Sequence, residues 1–289
     1  MKFALKYWWD SYKYMLKLIP KDVLKFSLGI LVFRLIMMAI DRFPEGWIID
    51  VVCWTAGAVI FAYLLFAVLC FIEAYKHSKV YGILDKKGFC PEYLSAFEKA
   101  FIIGKPVNNG MHISYALAHM ELKNYETALE ILNRLRVPES DINQRASYIF
   151  TYMMLAVKMD NSAMADDVWR CNQNFINANI NNPVLDMHGN QLYLAMVYAD
   201  CAAKRYERAL KTCGDVLAVY PESVTDGGRF DFLVMKIYSL KQLGKDNEAQ
   251  STLQEFYSEI REWKPSFEYL YNELIQNAEK AIRGEIPVL

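Results

Sequence analysis

An uncharged stretch of twenty-two residues, Val51–Ile72, limits what this chain can fold into more than any other feature. It lies between Asp50 and Glu73, and Trp47 precedes it. As a helix it would be about 33 Å long, which is enough to cross the hydrocarbon core of a bilayer. A buried helix of a soluble protein is rarely both so long and so free of charge. The sequence therefore predicts a membrane-spanning helix over about residues 48–72.

A second apolar segment, Phe26–Ile40, is shorter and contains Arg34. It would be about 22 Å long as a helix, and an arginine at mid-span costs roughly 2.5–3.5 kcal/mol on insertion scales. The long Arg34 side chain could reach nearby headgroups, and the short, turn-rich connector 41–46 suits a helical hairpin. We therefore predict a transmembrane hairpin over residues 23–73, with its first span at about 26–40. The alternative is that Phe26–Ile40 lies in the membrane interface beside a single span.

Residues 1–22 precede this region and are predicted to form an amphipathic helix. Its broad apolar surface includes Trp8 and Trp9, opposite a narrow polar stripe. Lysines on one side and tryptophans on the other favour a helix that lies among the headgroups of an anionic leaflet. Packing of this helix on a soluble domain is the alternative. The lysines expected to bind membrane lipids are Lys2, Lys6, Lys13 and Lys17.

The distribution of positive charge predicts how the spans are oriented. Six lysines precede the first apolar segment, whereas the connector contains only Arg42. Because cytoplasmic loops carry the excess of Lys and Arg, both chain ends are expected on the inner side. We therefore expect an integral protein of a plasma membrane, with its larger domain in the cytoplasm, and the short hairpin favours a bacterial inner membrane. Four further lysines follow the second span: Lys76, Lys79, Lys86 and Lys87.

After residue 73 the sequence is dominated by patterns with the period of an α-helix. Alternating strand patterns are almost absent, so the whole chain is predicted to be all-α. A short motif also recurs, in which small and apolar residues follow a turn. Its copies are Lys123–Leu129 (KNYETAL), Lys204–Leu210 (KRYERAL) and Gly244–Gln250 (GKDNEAQ), with a degenerate copy at Asp160–Ala165.

These copies resemble the tetratricopeptide repeat, a helix pair of about 34 residues in which Tyr-x-x-Ala opens the second helix. The resemblance implies an α-solenoid over residues 110–265, with a helical connector over 74–109 and a capping helix and tail over 266–289. A generic solenoid of helical hairpins is the alternative. The alanine positions are Ala128, Ala165, Ala209 and Ala249, which are 37, 44 and 40 residues apart, so the links between repeats are expected to be long.

The resemblance also implies a groove, lined by the first helix of each pair, that receives a peptide or helix from a partner protein. Counting back from the alanine positions in the family's pattern, eight apolar residues would line it. Apolar lining favours a ligand with apolar anchors, such as an amphipathic helix, over an acidic C-terminus. A register shifted by one residue would place the same side chains in the core. The residues are Ile113, Leu117, Met120, Phe150, Met154, Val157, Leu194 and Tyr198.

The sequence contains none of the usual constellations for chemistry. There is no H-E-x-x-H pair, no C-x-x-C, no phosphate-binding glycine loop and no G-x-S-x-G elbow. His112 and His119 are seven residues apart on one helix face, but a solvated or core-satisfied pair is favoured over a metal site. The net charge of −1 gives no general attraction to nucleic acid. We expect no enzyme, no catalytic or metal-binding residues, no cofactor and no nucleic-acid partner.

Three functions are compatible with these features. The favoured one is a membrane-anchored, tetratricopeptide-like scaffold that presents a protein-binding solenoid in the cytoplasm. The first alternative is a noncatalytic subunit of a membrane transport or secretion assembly, in which Arg34 would pair with a carboxylate of another subunit. The second alternative is a membrane-associated enzyme of unrecognised type.

Overall fold

The structure is a computed structural model that describes residues 27–30, 32, 47–182, 189–219, 228–263 and 268–287. Within these ranges all regular secondary structure is helical, which confirms the prediction of an all-α protein. The α-helices are α1 (Trp47–Lys87), α2 (Pro91–Phe97), α3 (Asn109–Glu121), α4 (Tyr125–Arg134), α5 (Ile142–Lys158), α6 (Ser162–Asn179), α7 (Gly189–Ala202), α8 (Tyr206–Val219), α9 (Gly228–Gln242), α10 (Asp246–Ile260) and α11 (Glu268–Ile282), and a π-helix over Glu98–Ile102 follows α2.

Several predicted features lie outside the described residues. They include the interfacial helix over 1–22 with Lys2, Lys6, Lys13 and Lys17, and Arg34 with most of the first predicted span.

The chain divides into two compact units, Met1–Gly82 and Ile83–Leu289.

The first unit contains most of α1, which is 41 residues long. Among the described residues one helical stretch, Trp54–Lys87, is long and apolar enough to cross a membrane. Its most apolar 18-residue window has a mean hydropathy of 2.5, and only 6% of that window is buried. The core helix of a soluble protein would be mostly buried, so α1 exposes apolar surface to an unusual degree.

The second unit consists mainly of packed helix pairs: α3 with α4, α5 with α6, α7 with α8, and α9 with α10. The first helix of each pair also packs against the first helix of the next pair. Each second helix packs on the following first helix as well. A continuous apolar core therefore runs from α5 to α11, and a smaller cluster joins α3 and α4 to α5.

The same turn joins the two helices of every pair. Lys123, Asp160, Lys204 and Gly244 occupy its left-handed position, with φ of 62°, 49°, 58° and 70°. The next residue closes a Schellman motif by donating its N–H to the carbonyl five positions earlier. These bonds run from Asn124 to His119 at 2.9 Å, Asn161 to Ala156 at 2.9 Å, Arg205 to Asp200 at 2.8 Å, and Lys245 to Leu240 at 3.0 Å.

The alanines of the recurring motif have one position in common as well. Each donates its N–H to the carbonyl of the residue four before it, so it lies in the first turn of a second helix. All four side chains are buried, where a small residue lets two helices approach closely. They are Ala128, Ala165, Ala209 and Ala249.

Candidate functional site

The C-terminal segment, defined as residues 268–287, packs on the last helix pair. Its helix α11 contacts both α9 and α10. Leu274, Ala278 and Ala281 are buried in the same core cluster as α5 to α10. The segment therefore completes the apolar core at this end of the second unit.

The residues after α11 extend this contact towards earlier helices. Gly284, with φ of +79°, ends α11 and turns the chain. The carbonyl of Gly284 accepts a hydrogen bond from Nε2 of Gln242 at 2.9 Å, which fixes the turn to the end of α9. Farther on, the carbonyl of Pro287 accepts a hydrogen bond from the buried hydroxyl of Tyr198 in α7 at 3.4 Å.

The other end of the segment meets the beginning of the second unit. The ring of Tyr269 contacts the ring of Phe89 edge to face, with their centroids 5.9 Å apart. Farther along α11, Glu273 lies within electrostatic reach of Glu121 and Lys158, the last residues of α3 and α5. The contacts of the segment thus involve α7, α9, α10 and the Phe89 ring before α2.

The structure places six of the eight predicted groove residues in the core. Leu117 and Phe150 are half-buried and pack against core clusters. The apolar pattern predicts an open groove at these positions, whereas most of these side chains are buried. The buried residues are Ile113, Met120, Met154, Val157, Leu194 and Tyr198.

Two carboxyl groups interact electrostatically where α11 packs on α9. Burial raises the pKa of Asp231 to about 8, and the nearby Glu273 carboxylate adds to this shift. Burial also raises the pKa of Glu273 to about 7. The negative charge of Glu121 increases the latter shift, while Lys158 and Lys280 oppose it. The contact therefore brings acidic groups together in partly desolvated surroundings, which is unfavourable when they are charged.

The nearest strong ion pair joins Glu121 to Lys158. Their side chains are only 17% and 11% exposed, and the Nζ–Oε1 distance is 2.5 Å. This pair connects the ends of α3 and α5. Lys158 is therefore already engaged by one carboxylate and compensates Glu273 only in part.

A second polar cluster lies near the π-helix. Burial raises the pKa of Tyr115 to about 12, and the hydrogen bond between its hydroxyl and Glu98 adds to the shift. The ring of His119 packs edge-on against Tyr115, with centroids 4.6 Å apart. Both ring nitrogens of His119 are buried without a hydrogen-bond partner among the described residues, and burial lowers its pKa. Across the described ranges no group of three or more His, Cys, Asp or Glu side chains is placed to hold a metal ion.

An open cleft of about 450 Å³ lies beside the turn of the first pair. Its lining is mostly polar, so it does not match a ligand with apolar anchors. The lining residues are Lys123, Asn124, Tyr125, Glu126, Thr127, Lys158 and Met159.

The sequence patterns did not identify Asp231 or Glu273 as members of a site. A signal did exist for Asp231, which lies within the apolar run Phe230–Met235. Four consecutive buried residues, 232–235, indicate a helix covered on several sides, so a carboxyl among them merits attention.

Comparison with models of protein families, with curated proteins and with solved structures gives no match to this chain.

Proposed function

We propose that this chain is a membrane-anchored scaffold whose tetratricopeptide-like repeats bind a protein partner in the cytoplasm. The observation that carries the proposal is the exposed apolar surface of α1. Trp54 is 77% exposed and Tyr75 is 62% exposed. Large apolar side chains between them are exposed as well: Phe61, Leu64, Leu65, Val68, Leu69, Phe71 and Ile72. Water would solvate this surface poorly, whereas a bilayer would cover it.

The spacing of the aromatic residues supports the same proposal. Trp54 and Tyr75 are separated by about 32 Å of helix, close to the thickness of the hydrocarbon core. Trp and Tyr concentrate at the two membrane interfaces, so these residues would mark the ends of the span. The proposed anchor is the hairpin over 23–73, with both chain ends on the inner side.

The repeated turn supports the tetratricopeptide-like part of the proposal. Each of the four helix pairs has a residue with positive φ at its turn, a Schellman hydrogen bond after it and a buried alanine in the second helix. Successive first helices pack on one another, as a solenoid requires.

Charge placed in the proposed span tests membrane insertion. Leu64 and Val68 are both more than half exposed and are four residues apart. Replacing both with Arg should move the chain from the carbonate-resistant membrane fraction to the soluble or aggregated fraction, because each mid-span arginine costs roughly 2.5–3.5 kcal/mol. The matched control replaces Ile103 and Val107, which are also four apart and more than half exposed. Equal membrane fractions for both double variants would contradict the proposed span.

The orientation has its own test, because Cys171 in α6 is exposed. A membrane-impermeant maleimide should label Cys171 only after cells are permeabilised. A Cys171→Ser variant corrects for labelling of other thiols. Labelling of Cys171 in intact cells would place the repeats outside.

A further inference from the structure

We propose that the loop 103–108, which joins the π-helix to α3, inserts into the headgroup region of an anionic membrane surface. It would form a second membrane contact, separate from the anchor over 23–73. This inference goes beyond the scaffold function and rests on the proposed anchor, because a chain that is held at a membrane keeps the loop within reach of lipid.

The first argument is the exposure of two large apolar side chains in this loop. Ile103 is 60% exposed and Val107 is 74% exposed. In the described part of residues 83–289, the other large apolar side chains are buried or half-buried. Single exposed apolar residues are common at protein surfaces, but two in one short loop of an otherwise well-covered unit indicate a contact surface.

The second argument is that the loop is held at both ends. The Ile103 N–H donates to the carbonyl of Glu98 at 2.9 Å, and Gly104, with φ of +66°, then turns the chain. At the other end, the side-chain oxygen of Asn108 accepts from the Met111 N–H at 3.2 Å and caps α3. The backbone of the loop is therefore fixed, and its apolar side chains are exposed by its shape rather than by fraying.

The third argument is the positive charge around the apolar residues. Lys99 and Lys105 are both exposed. No Asp or Glu occurs between Lys99 and Met120, so this stretch contains no carboxylate that opposes them. The exposed Arg136 is a neighbour of the loop, because its carbonyl accepts a hydrogen bond from Nδ2 of Asn109 at 3.2 Å. Cations at the surface of a protein are attracted to anionic headgroups.

The combination of these features favours a bilayer over a protein as the occupant. Apolar side chains surrounded by cations match a surface on which phosphates lie above acyl chains. A stable protein–protein interface uses about 20–30 residues from each side. The loop 103–108 is much smaller than that, whereas contact with lipid requires only that a few side chains insert.

The loop is also close to the proposed span along the chain. α1 continues for twelve residues after Tyr75, about 18 Å of helix, and ends at Lys87. α2 and the π-helix have seven and five residues, again about 18 Å, before the loop begins. The chain between the span and the loop is therefore long enough to return to the membrane surface.

A fluorescent label in the loop of the full-length chain tests the inference. Val107→Cys is made in a Cys171→Ser background, labelled with nitrobenzoxadiazole and reconstituted in nanodiscs of phosphatidylcholine, with or without phosphatidylglycerol. The Cys171→Ser chain without an added cysteine gives the labelling blank. We expect emission at shorter wavelength and quenching by spin-labelled phosphatidylcholine, both stronger when phosphatidylglycerol is present.

Two other label positions serve as references. Val68→Cys lies in the proposed span and should be quenched with or without phosphatidylglycerol. Glu126→Cys is exposed at the start of α4, beyond the far end of α3, which is about 20 Å long. The label at Glu126→Cys should be quenched much less than the label at Val107→Cys.

Substitutions near the label separate the apolar contribution from the charged one. Ile103→Ser should lower the ratio of inserted to free loop, measured from the quenched fraction, by about tenfold, because an apolar side chain no longer enters the membrane. Lys105→Gln should lower that ratio by about fivefold in discs with phosphatidylglycerol. Lys123→Gln, at the other end of α3, is the matched control for charge and should leave the ratio unchanged.

Quenching at residue 68 without quenching at residue 107 would overturn the loop contact and leave the anchor intact. If residue 68 is not quenched either, the anchor and the loop contact both fall. Equal quenching at residues 107 and 126, or quenching at 107 that survives Ile103→Ser unchanged, would also overturn the inference. A label at 107 that is shielded in native membranes but not in nanodiscs would assign the loop to a protein surface instead.

Discussion

The hydroxyl of Tyr198 donates a hydrogen bond to the carbonyl of Pro287, a residue 89 positions farther along the chain. The bond is buried and joins α7 to the last described part of the chain. The phenol and the carbonyl are both removed from water, so the bond contributes to holding the end of the chain in place.

Replacing Tyr198 with Phe should therefore loosen the end of the chain while it preserves the ring in the core. We expect a loss of about 1 kcal/mol in the free energy of unfolding, because the buried carbonyl loses its donor. Amide hydrogen exchange at Glu285 and Ile286 should become faster. In the control variant Tyr193→Phe the lost bond, to Asn181, is exposed, and exchange at the C-terminus should not change. Unchanged exchange in the Tyr198→Phe variant would show that the bond does not hold the tail.

Acidity should strengthen the docking of α11. Both Asp231 and Glu273 have a higher pKa in the folded chain, about 8 and about 7, than the ordinary values of 3.8 and 4.5 for these side chains. A raised acid pKa contributes stability that is complete below the unfolded pKa and is lost as the pH rises through the folded value. The free energy of unfolding should thus fall as the pH rises from about 4 to about 8.

Urea unfolding at a series of pH values measures this dependence. The charged groups around the pair are Glu121, Lys158 and Lys280, and none of them should reverse its sign. Glu273→Gln should flatten the pH profile, whereas Glu279→Gln on the exposed side of α11 should leave it unchanged. Stability that rises from pH 5 to pH 8 would contradict the burial of this pair.

Glycine at the left-handed turn positions should stabilise the repeats. Lys123 and Lys204 have positive φ, which costs a residue with a Cβ atom roughly 1 kcal/mol relative to glycine. We therefore expect Lys123→Gly and Lys204→Gly each to raise the free energy of unfolding by about 0.5–1 kcal/mol.

The reverse change at Gly244 should have the opposite effect. A Cβ there meets no atom within 4 Å, so Gly244→Ala tests the backbone conformation without a clash. It should destabilise the chain by about 1 kcal/mol. Lys211→Gly, in the interior of α8, is the position control and should also destabilise, by about 1 kcal/mol. If Lys204→Gly destabilised the chain as much as Lys211→Gly does, the shared turn geometry would be refuted.

Replacing the buried imidazole of His119 with the apolar ring of Phe should stabilise the chain. Both nitrogens of His119 are buried without a partner among the described residues, and an orphaned polar atom typically costs about 1–3 kcal/mol. We expect His119→Phe to raise the melting temperature. His112→Phe is the matched control, because Nδ1 of His112 lies 2.9 Å from the Asn108 carbonyl and the variant loses that contact. A lower melting temperature for His119→Phe would indicate that the imidazole has an essential partner.

The repeat could be predicted from the sequence because its signals are local. The turn, the tyrosine after it and the alanine three residues later lie within a few residues of one another, and α4 and α8 begin at the predicted Tyr125 and Tyr206. Local hydrogen bonding determines such features, so a short window of sequence contains most of the information. The prediction of an all-α chain follows from the same patterns.

The surface of the repeats could not be predicted in the same way. In α9 four consecutive residues, 232–235, are buried, so the apolar pattern does not distinguish an inner face from a core face. The approach of Glu273 to Asp231 and Glu121 depends on how distant helices pack, and no local pattern encodes it. The apolar pattern therefore predicts a groove position for Tyr198, whereas its side chain is buried and its hydroxyl bonds the carbonyl of Pro287.

The identical turns and their unequal spacing together reveal where this architecture accepts extra length. The turn residue and the buried alanine are five positions apart in every copy, whereas successive turns are 37, 44 and 40 residues apart. The variation therefore falls outside the turn, mostly in the second helices of the first three pairs, which contain 10, 18 and 14 residues. An epitope or a small reporter domain inserted between Val219 and Gly228 would leave the turn intact. The same insertion between Lys204 and Ala209 would separate two helices that must start within a single turn of each other.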